Sequence, residues 1–113
     1  MAVGQSSQYV AKGVLVTTWN FTSNETGDPE VAPQFPVKSV QVTGTFNGAT
    51  VTIEGSNDGV TYAPLSDVTG TALAFTASGV EKISENTRYV RPRVSSGSVT
   101  AVRIALQSQE TLG

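Results

Sequence analysis

The stretch VQVTGTFNGATVTIEGSNDG, residues 40–59, indicates the fold of this chain. Apolar and polar residues alternate from Val40 to Phe46, which is the period-2 pattern of a strand that buries one face. Asn47-Gly48 interrupts the alternation, and this dipeptide is typical of the tight turn of a β-hairpin. The alternation resumes over residues 50–54. The stretch therefore predicts two antiparallel strands joined by a two-residue turn.

Asn57-Asp58-Gly59, at the end of this stretch, could form a turn or a calcium-binding loop. Glycine tolerates the positive φ of a tight bend, and Asn and Asp side chains accept hydrogen bonds from nearby backbone. Calcium usually takes six or more oxygen ligands, whereas this segment holds one acid. We therefore interpret the segment as a turn and predict no metal site.

Short alternating segments separated by turn residues continue to the end of the chain. Residues 71–76 and 80–84 predict two short strands. The most regular pair spans Val90 to Val94 and Val102 to Leu106, with residues 95–98 as the turn between them. Turns spaced about eight to twelve residues apart favour an all-β fold. We predict a single antiparallel β-sandwich or barrel, a jelly-roll or immunoglobulin-like meander.

The first part of the chain has a different character. Tyr9 to Phe21 predicts one long strand, although Lys12 interrupts its alternation. The polar, proline-containing segment TSNETGDPEVAPQFP, residues 22–36, predicts a loop. We therefore divide the chain into residues 1–35, an N-terminal arm, strand and Pro-rich loop, and residues 36–113, the β-sandwich domain.

Length and charge exclude several classes of partner. A chain of 113 residues is suited to one domain with one core. Its formal net charge of −2 disfavours binding to nucleic acid, which usually requires a basic excess. No apolar run approaches the roughly 20 residues that span a bilayer, and no basic and apolar signal segment opens the chain. We expect neither a nucleic-acid nor a membrane partner.

Composition also disfavours catalysis. The chain contains no histidine and no cysteine, which excludes imidazole acid–base chemistry, thiolate nucleophiles and thiolate metal sites. The acids fall mostly in turns and at outward positions, which does not predict the carboxylate pair of a glycosidase. Lys12, Lys38 and Lys82 are all expected at the solvated surface. We predict a non-enzyme without a cofactor.

Three arginines are the clustered functional residues of the sequence. If the last two strands pair, Arg91 or Arg93 lies opposite Arg103, and directly opposed like charges cost up to about 1 kcal/mol. Such a face requires acids nearby, either from the same chain or from a neighbouring subunit. The acids of the same chain that could serve are Glu54, Glu81 and Glu85.

The N-terminal segment supplies further candidates for partner contact. The arm from Ala2 to Gln8 has no alternating apolar face, so we expect it to be mobile alone and to add as a strand to a neighbour in an assembly. Trp19 borders a polar loop, where it either closes one end of the barrel or anchors a partner, a stacked sugar being an alternative. The predicted partner-contact residues are Gln5, Tyr9, Trp19, Arg91, Arg93 and Arg103.

The run VQVTGTFNGATVTIEGSNDGVTYAPLSD, followed by ALAFTASGVEKISENTRYVRPRVSSG, is similar to small β-sandwich proteins encoded with the structural genes of tailed bacteriophages. The shared features are a strand–turn–strand unit over 40–53, the Gly-rich turn 55–59, Tyr62, and Tyr-Val-Arg-Pro at 89–92. They cover about Val40 to Leu106. Residues 1–35 lie outside the resemblance.

The resemblance implies a capsid decoration, or cement, protein. Such proteins sit on the outside of the phage head, commonly as trimers, and brace neighbouring subunits of the lattice. The implied partners are the major capsid protein and copies of the chain itself, and the implied location is the capsid exterior of a virion made in the bacterial cytoplasm. A carbohydrate-binding or adhesive module on a phage head or tail is the alternative, and a tail or neck component is a third.

Overall fold

The computed structural model describes residues 2–110, in which β-strands are joined by turns and loops. The strands form two sheets packed face to face, which confirms the predicted all-β sandwich. The strands within the described residues are β1 (Ala2–Val3), β2 (Gln5–Ala11), β3 (Val14–Phe21), β4 (Thr26–Gly27), β5 (Glu30–Val31), β6 (Val37–Thr45), β7 (Thr50–Ser56), β8 (Ala63–Pro64), β9 (Ala74–Phe75), β10 (Gly79–Ile83), β11 (Tyr89–Ser95) and β12 (Ala101–Gln109).

The two sheets differ in the number and order of their strands. The first has the order β1-β4-β11-β7-β8, with β5 also paired to β11 and β9 to β7, and we call it the seven-stranded sheet. The second, the five-stranded sheet, has the order β10-β6-β12-β3-β2, and every pair in it is antiparallel. Only one pairing within residues 2–110, β1 with β4, is parallel.

The core lies between the sheets and follows the period-2 pattern of the sequence. In β12 every second residue from Val102 to Ser108 is buried, and in β11 the same holds from Val90 to Val94. These side chains meet those of β6, β7 and β3 in one apolar cluster. Because neighbouring residues of a strand point to opposite faces, the alternate residues remain on the outer faces of the sandwich.

The predicted turn at Asn47-Gly48 forms, but the predicted hairpin does not. Asn47 and Gly48 both have positive φ, 50° and 80°, and the Ala49 N–H donates to the Phe46 carbonyl at 2.9 Å. These are features of a tight two-residue turn. Yet β6 pairs with β12 and β10, whereas β7 pairs with β11. The turn therefore carries the chain from one sheet to the other.

The same correction applies to the last two strands. β11 belongs to the seven-stranded sheet and β12 to the five-stranded sheet, so Arg91 and Arg93 do not lie opposite Arg103. The connection bends at Ser96 and Gly97, which have φ of 63° and 49°. Both crossings place the apolar residues of consecutive strands on facing sheets, where they bury each other across the core instead of side by side.

The two crossing turns lie against each other at one end of the sandwich. Asn47 exchanges hydrogen bonds with the backbone of Ser98, through Nδ2 to the Ser98 carbonyl and from the Ser98 N–H to its own carbonyl. Asn24 donates through Nδ2 to the carbonyls of Ser96 and Gly97, and its Oδ1 accepts from the Val99 N–H. Asn47 therefore joins the two crossing turns, and Asn24, from the predicted loop, fastens that loop to the second of them.

The division of the chain at residue 35 is not a structural boundary. Instead of an arm, the segment before Lys12 forms β1 in the seven-stranded sheet and β2 in the five-stranded sheet, with Gly4 between them. Trp19 and Phe21 belong to the common core. Backbone pairing with strands already present, β4 and β3, orders a segment that has no apolar face of its own.

The predicted single strand from Tyr9 to Phe21 is two strands. Lys12-Gly13, with a φ of 72° at the glycine, forms the turn between β2 and β3. The interrupted alternation at Lys12 was the sequence signal of this turn. No helix within residues 2–110 has the length and apolar character required to cross a bilayer.

Candidate functional site

The outer face of the seven-stranded sheet carries a cluster of one acid and two arginines, Glu54, Arg91 and Arg93. Arg91 Nε donates to Glu54 Oε1 at 3.1 Å, and Arg93 Nε donates to Glu54 Oε2 at 2.9 Å. The Glu54 side chain is only 7% exposed, because the two arginines cover it. The acid that faces Arg91 and Arg93 therefore comes from the same chain and not from a neighbouring subunit.

The register of β7 and β11 produces this cluster. Arg91 is the direct partner of Glu54, and Arg93 is the next residue on the same face. A buried carboxylate requires compensating charge, which the arginines supply from both sides. Because two cations meet one anion, the cluster keeps a net positive charge at the surface.

An aromatic ring completes the cluster. The Arg91 guanidinium carbon lies 3.6 Å from the centre of the Tyr62 ring, within cation–π range. Burial raises the pKa of the Tyr62 hydroxyl, while the charge of Arg91 opposes this shift. Arg91 is therefore held on one side by an acid and on the other by a ring, which leaves it little freedom to adapt to a partner.

A depression of about 400 Å³ adjoins Arg91 and is lined by residues 24–29. It lies where β4 ends and β5 begins, alongside β11. Pro92 of β11 lacks a backbone N–H, and a side chain at Gly27 would meet the Pro92 ring at 2.8 Å. The break between β4 and β5 thus coincides with the residue that cannot donate to a ladder.

Arg103 lies on the opposite side of the molecule, on the outer face of the five-stranded sheet. Its register partners are Asn20 in β3 and Thr43 in β6. Within the described part of the chain, no ion pair engages Arg103. It stands between two shallow depressions of about 430 Å³ and 210 Å³, both of which it helps to line together with Asn20.

The surroundings of Arg103 are uncharged. The larger depression is lined, besides Arg103, by Ser6, Gln8, Val10, Val16, Thr18 and Asn20. These polar and β-branched side chains come from β2 and β3. They form a nearly flat, uncharged surface from which the Arg103 guanidinium projects. The arrangement can accept a carboxylate from a partner, but it holds no second titratable group for proton transfer.

Gln5 and Tyr9 lie on β2, the edge strand of the five-stranded sheet. Gln5 Nε2 donates to the Pro29 carbonyl at 3.1 Å and to Glu30 Oε1 at 3.3 Å, so its amide is engaged inside the chain. Tyr9 is 65% exposed, and its ring packs edge-to-face on Phe35 with centroids 6.1 Å apart. Of these two residues, Tyr9 is the one that presents a large free surface.

Trp19 is not a surface residue, and its prediction as a partner contact is wrong for the chain as described. Its side chain is 1% exposed and belongs to the core, and its indole Nε1 donates to the Asp28 carbonyl at 2.9 Å. The parity of β3 explains the error, because odd-numbered residues of this strand face inward. The same parity places Val14 and Val16 outward.

The segment Asn57-Asp58-Gly59 is a turn whose side chains are engaged by backbone. Asp58 Oδ1 accepts from the N–H groups of Val60 and Thr61, and these bonds, followed by the Ser56 hydroxyl, lower the Asp58 pKa to about 2. Asn57 Oδ1 accepts from the Arg88 N–H. The turn interpretation is confirmed by this geometry.

Lys38 was expected at the surface but is buried, with 1% of the residue exposed. Its ammonium donates to the carbonyls of Ala32 and Phe35, at 3.0 and 2.7 Å, and to Asn86 Oδ1 at 2.7 Å. Burial lowers the Lys38 pKa to about 8, although Glu30 acts in the opposite direction. Its inward parity, shared with Val40 and Val42, is the feature of the sequence that indicates this burial.

Comparison with known proteins identifies similar folds. No protein-family model and no curated protein sequence matches the chain. Among solved structures, the SPBc2 prophage-derived protein YomS superposes with a TM-score of 0.63 at 14% identity, covering 89% of this chain and 98% of that one. Recombinant oxalate oxidase in complex with glycolate superposes with a TM-score of 0.53 at 17% identity, covering 96% of this chain but 52% of that one.

At these identities the likenesses concern the fold alone. The prophage-derived protein matches over almost its whole length, so its complete architecture resembles this sandwich. The oxidase matches over about half of its length, so this likeness covers only part of that protein. The fold of this chain is therefore shared with both a phage-derived protein and part of an enzyme, and the surface chemistry must indicate the function.

Proposed function

We propose that this chain is a non-enzymatic structural protein of a bacteriophage virion, which binds the outer surface of the capsid and stabilises its lattice. The contact surface in this proposal is the outer face of the five-stranded sheet around Arg103. The proposed partners are the major capsid protein and further copies of the chain. The trimer that the sequence resemblance implies is untested and is not part of this proposal.

One observation carries the proposal: Arg103 projects, without an ion-pair partner among residues 2–110, from a low and otherwise uncharged sheet face. Arginine is enriched in protein–protein interfaces, where its planar guanidinium pairs with carboxylates. Arg91 and Arg93, in contrast, already bind Glu54. Arg103 is therefore the arginine of the predicted set that is available to an acid of another protein.

The whole-length likeness to a prophage-derived protein supports a phage context, and the sequence resemblance supports the capsid as the partner. The physical effect needs no catalysis. A protein that binds the assembled lattice, but not unfolded or unassembled subunits, stabilises the lattice by mass action. Stabilisation of this kind grows with the concentration of the free decorating protein relative to its dissociation constant.

The test is binding to capsids that lack the protein. Purified wild-type chain should bind such heads and raise their thermal disruption temperature, and Arg103→Glu should lower the occupancy at least tenfold. Arg88→Glu is the matched control, because Arg88 is exposed and its side chain stacks on Tyr89 near the opposite sheet. Equal loss with both variants, or binding unaffected by Arg103→Glu, would refute the assignment of this face.

A glycan-binding module is the competing function, and the same preparation tests it. Saturable binding of the wild-type protein to defined oligosaccharides on an array, without binding to heads, would replace the capsid proposal. Binding to isolated tails instead of heads would move the protein to the tail of the virion.

A further inference from the structure

The free edge of β2 lacks the charges and prolines that commonly prevent pairing with another strand, although a register shift between Tyr9 and Ala11, near its end, is a feature that can hinder such pairing. β2 pairs with β3 on one side and ends the five-stranded sheet on the other. Over Gln5–Ala11 it contains no charged residue and no proline, and six of its seven residues are exposed. Natural edge strands commonly carry lysines, prolines or inward charges that prevent such pairing.

The opposite edge of the same sheet shows the contrast. β10 ends the sheet on that side and carries Glu81 and Lys82 in five residues. Charges of this kind protect an edge because a strand added there must accommodate them. Charged residues thus protect one edge of the five-stranded sheet and are absent from the strand at the other.

Exposed apolar side chains gather at the unprotected edge. Six large apolar side chains of the described residues are strongly exposed, and three of them, Tyr9, Val10 and Val31, belong to β2 and the adjacent β5. Contacts between β2 and β5 run through Glu30, which accepts from Gln5 and from the Ser7 hydroxyl. A strand placed along β2 would therefore cover apolar surface as well as backbone.

The two ends of β2 differ in charge, because acids surround the amino end and a lysine stands at the carboxyl end. At its amino end, Glu30 contacts Gln5 and Ser7, and a side chain added at Gly4 would lie 3.9 Å from Asp28 Oδ2. At its carboxyl end, Lys12 follows directly, and no ion pair engages it within residues 2–110, while a side chain added at Gly13 would lie 3.1 Å from the Glu110 carboxylate. Two such strands laid antiparallel bring the cation of each to the acids of the other.

We propose that two copies of this chain associate through antiparallel pairing of β2 with β2, which joins their five-stranded sheets into one continuous sheet. The inner faces of the two sheets stay on the same side only if odd-numbered residues of one β2 pair with odd-numbered residues of the other, and even with even. The regular part of β2, before the register shift between Tyr9 and Ala11, is centred on Ser7. A two-fold axis at Ser7 pairs Gln5 with Tyr9 of the second copy. This association is independent of the proposed capsid function.

Cross-linking tests the register, because the chain has no cysteine of its own. Opposite residues of an antiparallel pair have Cα atoms about 4.5–5.5 Å apart, within the range that a disulfide bridges. Ser7→Cys should therefore give disulfide-linked dimer at least tenfold faster than Val80→Cys, an exposed position on the protected edge strand. Equal rates for both variants would overturn the proposal.

Sedimentation of the full chain over a concentration series provides the second measurement. The wild-type chain should dimerise, and Lys12→Glu should raise the dissociation constant at least about threefold by placing acid against acid. Combining Lys12→Glu with Asp28→Lys should restore the wild-type value. A monomer at every concentration up to about 1 mM, a trimer, or a dissociation constant unchanged by Lys12→Glu would overturn the antiparallel β2 pairing.

Discussion

Glu54 and Arg91 face each other directly across β7 and β11, with Arg91 Nε 3.1 Å from Glu54 Oε1. Arg93 approaches the second oxygen of the same carboxylate at 2.9 Å. One acid thus holds two cations on the outer face of the seven-stranded sheet, and the acid is the buried member. Loss of the acid should therefore matter more than loss of either arginine.

Replacing Glu54 by Gln tests this relationship. The change keeps the shape of the side chain but leaves two arginines side by side without an anion, and removing one partner of a buried pair is strongly destabilising. Since the arginines are partly exposed, we expect a loss of about 1–3 kcal/mol in the free energy of unfolding, measured by denaturant titration. Glu81→Gln, at an exposed position on β10, is the control and should change stability by less than about 0.5 kcal/mol. Similar losses for both variants would contradict the structural role of Glu54.

Lys38 should give a distinctive pH dependence of stability. Its pKa is lowered from 10.5 to about 8 in the folded chain, so between these values the unfolded chain binds more protons than the folded one. The free energy of unfolding should therefore rise with pH from about 8 to 10, by roughly 1–2 kcal/mol, and the charged ammonium weakens the fold below that window.

Denaturant titrations at pH 7.5, 8.5 and 9.5 measure this slope. Lys38→Met should abolish it, whereas Lys82→Met, which removes an exposed lysine, should retain it. The rise in stability ends near pH 10. Above that value the raised pKa of Tyr62 makes the free energy of unfolding fall with pH. A slope that persists in Lys38→Met would assign the titration to another group.

Gly70 and Gly97 both have positive φ, so comparing their replacements by Ala distinguishes the cost of backbone strain from the cost of a steric clash. A side chain at Gly97 would lie 2.4 Å from the backbone of residues 47–49 in the neighbouring crossing turn, whereas one at Gly70 would meet nothing within 4 Å. Both replacements by Ala carry the strain of a left-handed backbone, of order 1 kcal/mol. Only Gly97→Ala also pushes the two crossing turns apart. We expect its melting temperature to fall well below that of Gly70→Ala, and equal effects would show that the turns do not depend on this close approach.

Removal of the residues before Tyr9 should destabilise the isolated chain. Residues 2–8 include β1 and the first half of β2, and the Ser7 hydroxyl lies 2.9 Å from that of Thr17 in β3. Losing this pairing should lower the melting temperature by about 5 °C or more in calorimetry. An unchanged melting temperature would instead support the mobile arm that the sequence alone suggested.

Local features of this chain could be predicted from its sequence because they depend on near neighbours. Alternation from Val40 to Phe46 and from Val102 to Leu106 identified inward and outward residues, since side chains of a strand point alternately to its two faces. Turn chemistry at Asn47-Gly48 and at residues 57–59 was also correct, because it depends on φ and on side-chain bonds within a few residues. All-β architecture follows from these two signals together.

Only the tertiary structure decided which strands pair and which charged groups meet. A period-2 pattern specifies the face of a residue but not the neighbouring strand, so β6 and β7 looked like a hairpin although they lie in opposite sheets. The pairing of Arg91 with Glu54 instead of Arg103 follows from that choice, and the hydrogen bond from the Lys38 ammonium to Asn86 Oδ1 likewise joins residues far apart in sequence. The physical reason is that strand pairing is selected by the total burial of all strands at once, which no local segment of the sequence contains.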